Sequence, residues 1–188
     1  MRAPAALVVL RVLALLALST LAGCGFVSAG GSKDAPAPPI GALSVSSPAF
    51  ADGAAIPTGF TCKGDNLSPP LHWSGLPSDA RSVALVVDDP DAPNGTFTHW
   101  VVFNIDPQQR SIDAGQVPEG ARQAKNSAGH ASYDGPCPPS GTHHYRFTVS
   151  VLRSPLTVPD GAETTRVLTV IKAKATARGT LTGTFAAG

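Results

Sequence analysis

The chain has 188 residues, with 14 Lys and Arg against 13 Asp and Glu, so its formal net charge at neutral pH is +1. No basic run recommends nucleic acid as a partner, and no block of like charge recommends disorder.

In chain order, the first segment reads as an export signal. Arg2 and Arg11 flank a start that runs into the apolar stretch Val12 to Leu18 and then Leu21-Ala22-Gly23-Cys24. The apolar run is too short to span a bilayer. The tetrapeptide resembles a bacterial lipobox, which implies cleavage after residue 23, acylation of the Cys24 thiol, and attachment to the cell membrane through that lipid. Removing Arg2 and Arg11 leaves twelve cations against thirteen acids, about −1. Residues 24–40 are Gly/Ser/Ala-rich and then Pro-rich, the composition of a tether that first flexes and then stiffens. Residues 41–188 are then the body large enough for a core, and their length suits one domain. An exported domain meets oxidising conditions, and Cys62 and Cys137, the two cysteines left, allow one pairing.

Within that body the pattern is mostly β. Residues 82–88, "SVALVVD", form a short continuous apolar run, as expected of a strand buried on both faces, and 99–105, "HWVVFNI", form another. Residues 144–151 alternate, with Tyr145, Phe147, Val149 and Val151 on one face and Arg146, Thr148 and Ser150 on the other. One helix is expected between Asp160, an N-cap candidate with Glu163 three residues on, and a stop at Arg178-Gly179. Its apolar face would carry Val167, Leu168, Ile171 and Ala175. A Thr-rich strand over 179–185 closes the chain. Strands at short intervals with a single late helix argue for an all-β antiparallel sandwich with one short C-terminal helix before the last strand.

Three polar positions stand out at strand ends. In "VVDDPDAPNG" the period of two places Asp89 with Val83, Leu85 and Val87, where a carboxylate is costly unless something satisfies it. Capping of its own turn is the ordinary role of an Asp in such a loop, and Asp91, flanked by prolines, suits that role better. His99 shares the parity of Val101, Phe103 and Ile105, where a histidine is more often a satisfied core residue than a ligand. In "HASYDGPCPPSGTHHYRF", residues 130–147, His143 falls on the Tyr145 and Phe147 face and His144 on the other.

Together, "DDPDAPNGTFTHWVVFNI" and "YDGPCPPSGTHHYRFTVSVL", with "GFTCKGDNLSPPLHWSGLP" upstream and "GTLTGTF" at the end, resemble the phosphatidylethanolamine-binding protein family in its bacterial Raf-kinase-inhibitor-like branch. The resemblance implies a β-sandwich and a small anion pocket lined by Asp89, His99, Pro138, Pro139, His143 and Tyr145. The ligand it implies is a phosphate, a phosphorylated molecule or a lipid headgroup, with no cofactor and no resident metal. Two imidazoles oriented by Asp89 would supply N–H donors and Tyr145 a hydroxyl, without an arginine fork.

Relative to eukaryotic members the loop between Pro93-Asn94 and His99 is short, and no extra C-terminal helix is expected after the last strand; kinase regulation is not expected to transfer, because an exported protein does not meet a cytosolic kinase. Cys137 stands where many relatives carry glycine, as pairing with Cys62 would explain. Serine protease inhibition is a second reading that rests on analogy alone. Hydrolysis is a third: Cys137 near His143 reads as a nucleophile and base, but the chain has no Gly-x-Ser-x-Gly and no His-Glu-x-x-His. The same His and Asp set suits zinc chemically, yet no metal-ligand spacing stands out.

Overall fold

The computed structural model describes residues 40–188. The expected signal segment, Cys24 and nearly all of the expected tether lie outside the described residues.

The strands in chain order are β1 (Gly41–Ala42), β2 (Ser44–Ser46), β3 (Leu71–Ser74), β4 (Ser82–Asp89), β5 (Phe97–Ile105), β6 (Ser111–Ile112), β7 (Arg122–Gln123) and β8 (Thr142–Leu152). Helix α1 (Thr164–Lys174) and β9 (Ala175–Ala186) complete the set. One sheet has the order β1-β9-β8-β4-β5-β7 and the other β2-β3-β6. All pairings between these strands are antiparallel except β1 with β9.

The central strands β4 and β5 of the large sheet are buried on both faces, which is why β4 reads as an unbroken apolar run. The sheet's inner face packs Val83, Leu85, Val87, Phe147, Val149 and Val151 against Leu71 and Trp73 of the small sheet. Its outer face packs Ala84, Val86, Val101 and Phe103 against Val167 and Ile171 of α1. Period-two alternation therefore sorts the side chains between two cores rather than between core and solvent.

Strand β5 departs from that period twice. Val83 pairs with Ile105 but Leu85 with Val102, and Val87 pairs with Trp100 but Asp88 with Thr98. Each step leaves an extra residue on β5, as in a β-bulge. Near the first, Asn104 takes a left-handed φ of 61°, and its side-chain amide binds both the N–H and the C=O of Leu156. The second carries His99. Trp100, Val102 and Ile105 consequently face the inner core, while Val101 and Phe103 face α1. The expected shared face of His99 with Val101 and Phe103 is thus corrected.

The helix is shorter than its sequence signals indicate. Glu163 occupies the N-cap without a side-chain capping bond, because its carboxylate holds Lys125 at 2.5 Å. The Asp160 carboxylate is committed elsewhere, accepting the Gln123 N–H of β7 at 2.7 Å. At the other end Ala175 is extended, so the final strand starts four residues before the expected 179 and runs to Ala186.

Candidate functional site

At the end of the sandwich where β4, β5 and β8 carry their polar residues, the surface opens into a cavity of about 620 Å³. Asp89, His99, Pro138, Pro139, His143 and Tyr145 all line it. Strand β4 delivers Asp89 from the inner-core side. Strand β8 delivers His143 and Tyr145 on alternate residues, and the bulge in β5 turns His99 toward them, with its ring 5.2 Å from that of Tyr145.

Asp89 is buried and has two partners. Its Oδ1 accepts the backbone N–H of Asp91 at 2.8 Å, and its Oδ2 lies 2.7 Å from Nδ1 of His143. Asp89 therefore caps the turn, the role that residue type suggested for Asp91, while also orienting the histidine. Asp91 instead accepts both the backbone N–H and the ring Nδ1 of the exposed His144 at 2.8 and 2.7 Å. These bonds hold the Asp91 carboxyl below its ordinary range. The adjacent histidines have separate jobs, one inside the cavity and one fastening the turn outside it.

His99 is not oriented by Asp89. Its Nδ1 lies 2.7 Å from the carbonyl oxygen of Asp134, and a carbonyl only accepts, so this nitrogen carries the proton. Burial lowers the His99 pKa, outweighing the opposing pull of the Asp134 carbonyl and the Asp89 charge. Neutral His99 then has an unprotonated Nε2, which is an acceptor. The expectation of two imidazoles held by Asp89 is corrected: Asp89 holds His143 alone, and His99 presents an acceptor.

The Tyr145 ring is fully buried, and its hydroxyl has no hydrogen-bond partner within normal geometry. Burial, followed by the nearby Asp89 charge, pushes its pKa far up, against a smaller opposing effect of the Cys137 backbone. A buried hydroxyl left without a protein partner calls for an explanation.

The Pro-rich wall is held by three ties. Cys62 and Cys137 form a disulfide across 75 residues of sequence, with their Cα atoms 5.5 Å apart. Cys62 N–H donates to Pro136 C=O at 3.1 Å, and Asn66 Oδ1 accepts the Gly135 N–H at 2.8 Å. A Cβ on Gly135 would stand 2.6 Å from that same oxygen and 2.9 Å from Phe60 C=O, so only glycine allows the loops to meet this closely. Behind the wall, buried Asn126 donates to Ser132 C=O and to the Asp134 carboxylate at 3.1 and 2.8 Å, fixing the segment whose carbonyl orients His99. Asn66, Asn126 and Asp134 were not singled out from sequence. Their Asx and Asp-Gly turn chemistry was the available signal.

Among the described residues no Lys or Arg lines the cavity, and the acids that do are Asp89 and Asp134. Among the described residues no three His, Cys, Asp or Glu side chains converge as a metal site. With its sulfur in a disulfide, Cys137 has no thiolate to act as a nucleophile.

The family model for phosphatidylethanolamine-binding protein matches residues 46–186, most of the chain and all of the cavity. The chain belongs to the phosphatidylethanolamine-binding protein family. Among curated relatives, "Putative lipoprotein LppC" of Mycobacterium tuberculosis is 48% identical over 152 residues, 80% of this chain and 75% of that one. A UPF0098 protein of Methanothermobacter thermautotrophicus is 43% identical over 145 residues, 74% of this chain and 96% of its own. Two solved members superpose with a TM-score of 0.74: a phosphatidylethanolamine-binding protein homologue from Chlamydia trachomatis, 34% identical, and YbcL of Escherichia coli, 31% identical. Each is matched over 99% of its own chain by 78% of this one.

Proposed function

We propose that this member of the family is a binding module, not an enzyme, exported and held to the cell membrane by a lipid on Cys24. Its cavity takes a small phosphorylated ligand, either a phosphomonoester or the headgroup of a lipid. The observation that carries the reading is the buried Asp89–His143 pair at 2.7 Å beside the unpartnered Tyr145 hydroxyl.

The chemistry follows from which atoms are already engaged. With Nδ1 of His143 given to Asp89, its Nε2 is the nitrogen left for a ligand. Tyr145 adds an O–H donor, and neutral His99 adds an acceptor. A singly protonated phosphate ester matches this set, because it brings acceptor oxygens and one P–O–H donor. With no arginine fork, three such bonds give a net of about 5 kcal/mol, a dissociation constant on the order of 0.2 mM. The cavity is larger than a phosphate group. Its remaining wall, with Ala92, Pro93, Phe97 and Pro138, offers apolar surface to an organic substituent.

Export and anchoring are supported by the Leu21-to-Cys24 tetrapeptide, by the lipoprotein name of the mycobacterial relative and by the disulfide, which suits an oxidising compartment. Calorimetric titration with inorganic phosphate and with phosphoethanolamine, on the native protein and on His143→Ala, tests the binding. Saturable heat in the native protein and none in the variant is the expected result. Equal heats in both would remove the ligand from this cavity.

A further inference from the structure

We propose that the opposite face of the large sheet, in the groove between α1 and the strands β8 and β9, is a docking surface for the anionic phospholipid headgroups of the membrane. The groove has a volume of about 330 Å³ and carries Arg146, Lys172 and Arg178, with the hydroxyls of Thr148, Ser150 and Thr180 between them. It is separated from the Asp89 cavity by the strand period: His143 and Tyr145 point one way from β8, and Arg146 and Thr148 the other.

Two of the three cations on this face, Lys172 and Arg178, have no carboxylate partner among the described residues. The face's one carboxylate, Asp88, is held by both ends of the Arg146 guanidinium at 2.7 and 2.8 Å. Arg178 reaches only the Ser150 hydroxyl, at 3.3 Å, and neither it nor Lys172 has an ion pair among the described residues. From residue 164 to 188 the chain holds Arg166, Lys172, Lys174 and Arg178 and no Asp or Glu. The near-neutral total thus hides a local run of cations along α1 and at the start of β9. Cations beside hydroxyls on an open face suit phosphodiester groups laid out in a plane.

The path of the chain selects a membrane as the occupant. Strand β1 pairs Gly41 with Ala177 and Ala42 with Arg178, so the segment that leads to Cys24 enters the domain beside this surface. The seventeen residues from Cys24 to Ile40 reach roughly 55 Å when extended, enough slack for the face to settle on the bilayer. The location of the surface rests on the proposed anchor; its affinity for anionic lipid does not.

The family model covers residues 46–186, and 78% of this chain matches 99% of each solved relative, so residues 40–188 can be studied alone. Flotation with phosphatidylcholine vesicles, with and without phosphatidylglycerol, is the test. Binding should require phosphatidylglycerol and weaken as salt rises. Each cation near an anionic bilayer is worth about fivefold in partition, so Lys172→Gln with Arg178→Gln should weaken binding roughly thirtyfold. Lys172 is exposed, so Lys172→Gln alone, at about fivefold, reports on charge without disturbing the fold, and Arg178→Lys should retain binding. His143→Ala should bind vesicles like the native protein even if it no longer takes phosphate, which separates this surface from the cavity. Binding that ignores phosphatidylglycerol, unchanged partition of the double variant, or loss of vesicle binding in His143→Ala would overturn the proposal.

Discussion

Removing the hydroxyl of Tyr145 should move stability and binding in opposite directions. The oxygen is buried without a hydrogen-bond partner, and an unsatisfied buried polar group costs about 1–3 kcal/mol. Tyr145→Phe keeps the ring that packs on His99 and His143, so the ligand-free protein should gain about 1 kcal/mol, a rise in Tm of about 2–4 °C for a domain this size. The same oxygen is the proposed donor to a charged phosphate oxygen, a bond worth about 1.5–3 kcal/mol, so affinity should fall about tenfold or more. Thermal unfolding of the ligand-free variant and calorimetry with phosphoethanolamine read the two effects separately. A variant that unfolds earlier than the native protein, or one that binds with unchanged affinity, would refute the reasoning.

Two further predictions concern the frame of the site. Replacing Cys62 and Cys137 together by serine frees a loop of 75 residues, for which the chain-entropy estimate is about 4 kcal/mol. Urea unfolding should show a loss of that order and calorimetry a weaker ligand, while a loss below about 1 kcal/mol would mean that the hydrogen bonds around Gly135 hold the wall unaided. For His99, burial lowers the folded-state pKa below the unfolded value near 6.5, so the unfolded chain takes up the proton first. Its contribution to stability is complete above about pH 6.5 and is lost as pH falls through the folded pKa. Urea midpoints between pH 8 and pH 5 should therefore fall less on acidification in His99→Gln than in the native protein; parallel curves would contradict the assigned burial.

Much of this geometry was legible in the residues, and the exceptions have physical causes. The inward His143 and outward His144 follow from the strict alternation of β8, and the place of Asp89 follows from that of β4. His99 reaches the cavity through a bulge, not through the parity that grouped it with Val101 and Phe103. A bulge is set by pairing with a partner strand and leaves no mark in the local pattern. The helix start was misjudged because Asp160 and Glu163 resemble a capping box, whereas their carboxylates serve Gln123 and Lys125 from distant sequence. The tautomer of His99 depends on the direction of one carbonyl, that of Asp134, which no sequence pattern encodes. The cations of α1 and the start of β9 were hidden by a net charge near zero, since acids elsewhere in the chain balance them.

The central claim is that a phosphorylated ligand sits against Asp89-oriented His143 and the free hydroxyl of Tyr145. Imidazole resonances recorded by NMR during titration with phosphoethanolamine test it most directly. Saturable shifts at His143 and His99, with those of His72 and His130 unmoved, are the predicted result. Shifts confined to histidines outside the cavity, or no saturable shift at His143, would contradict it.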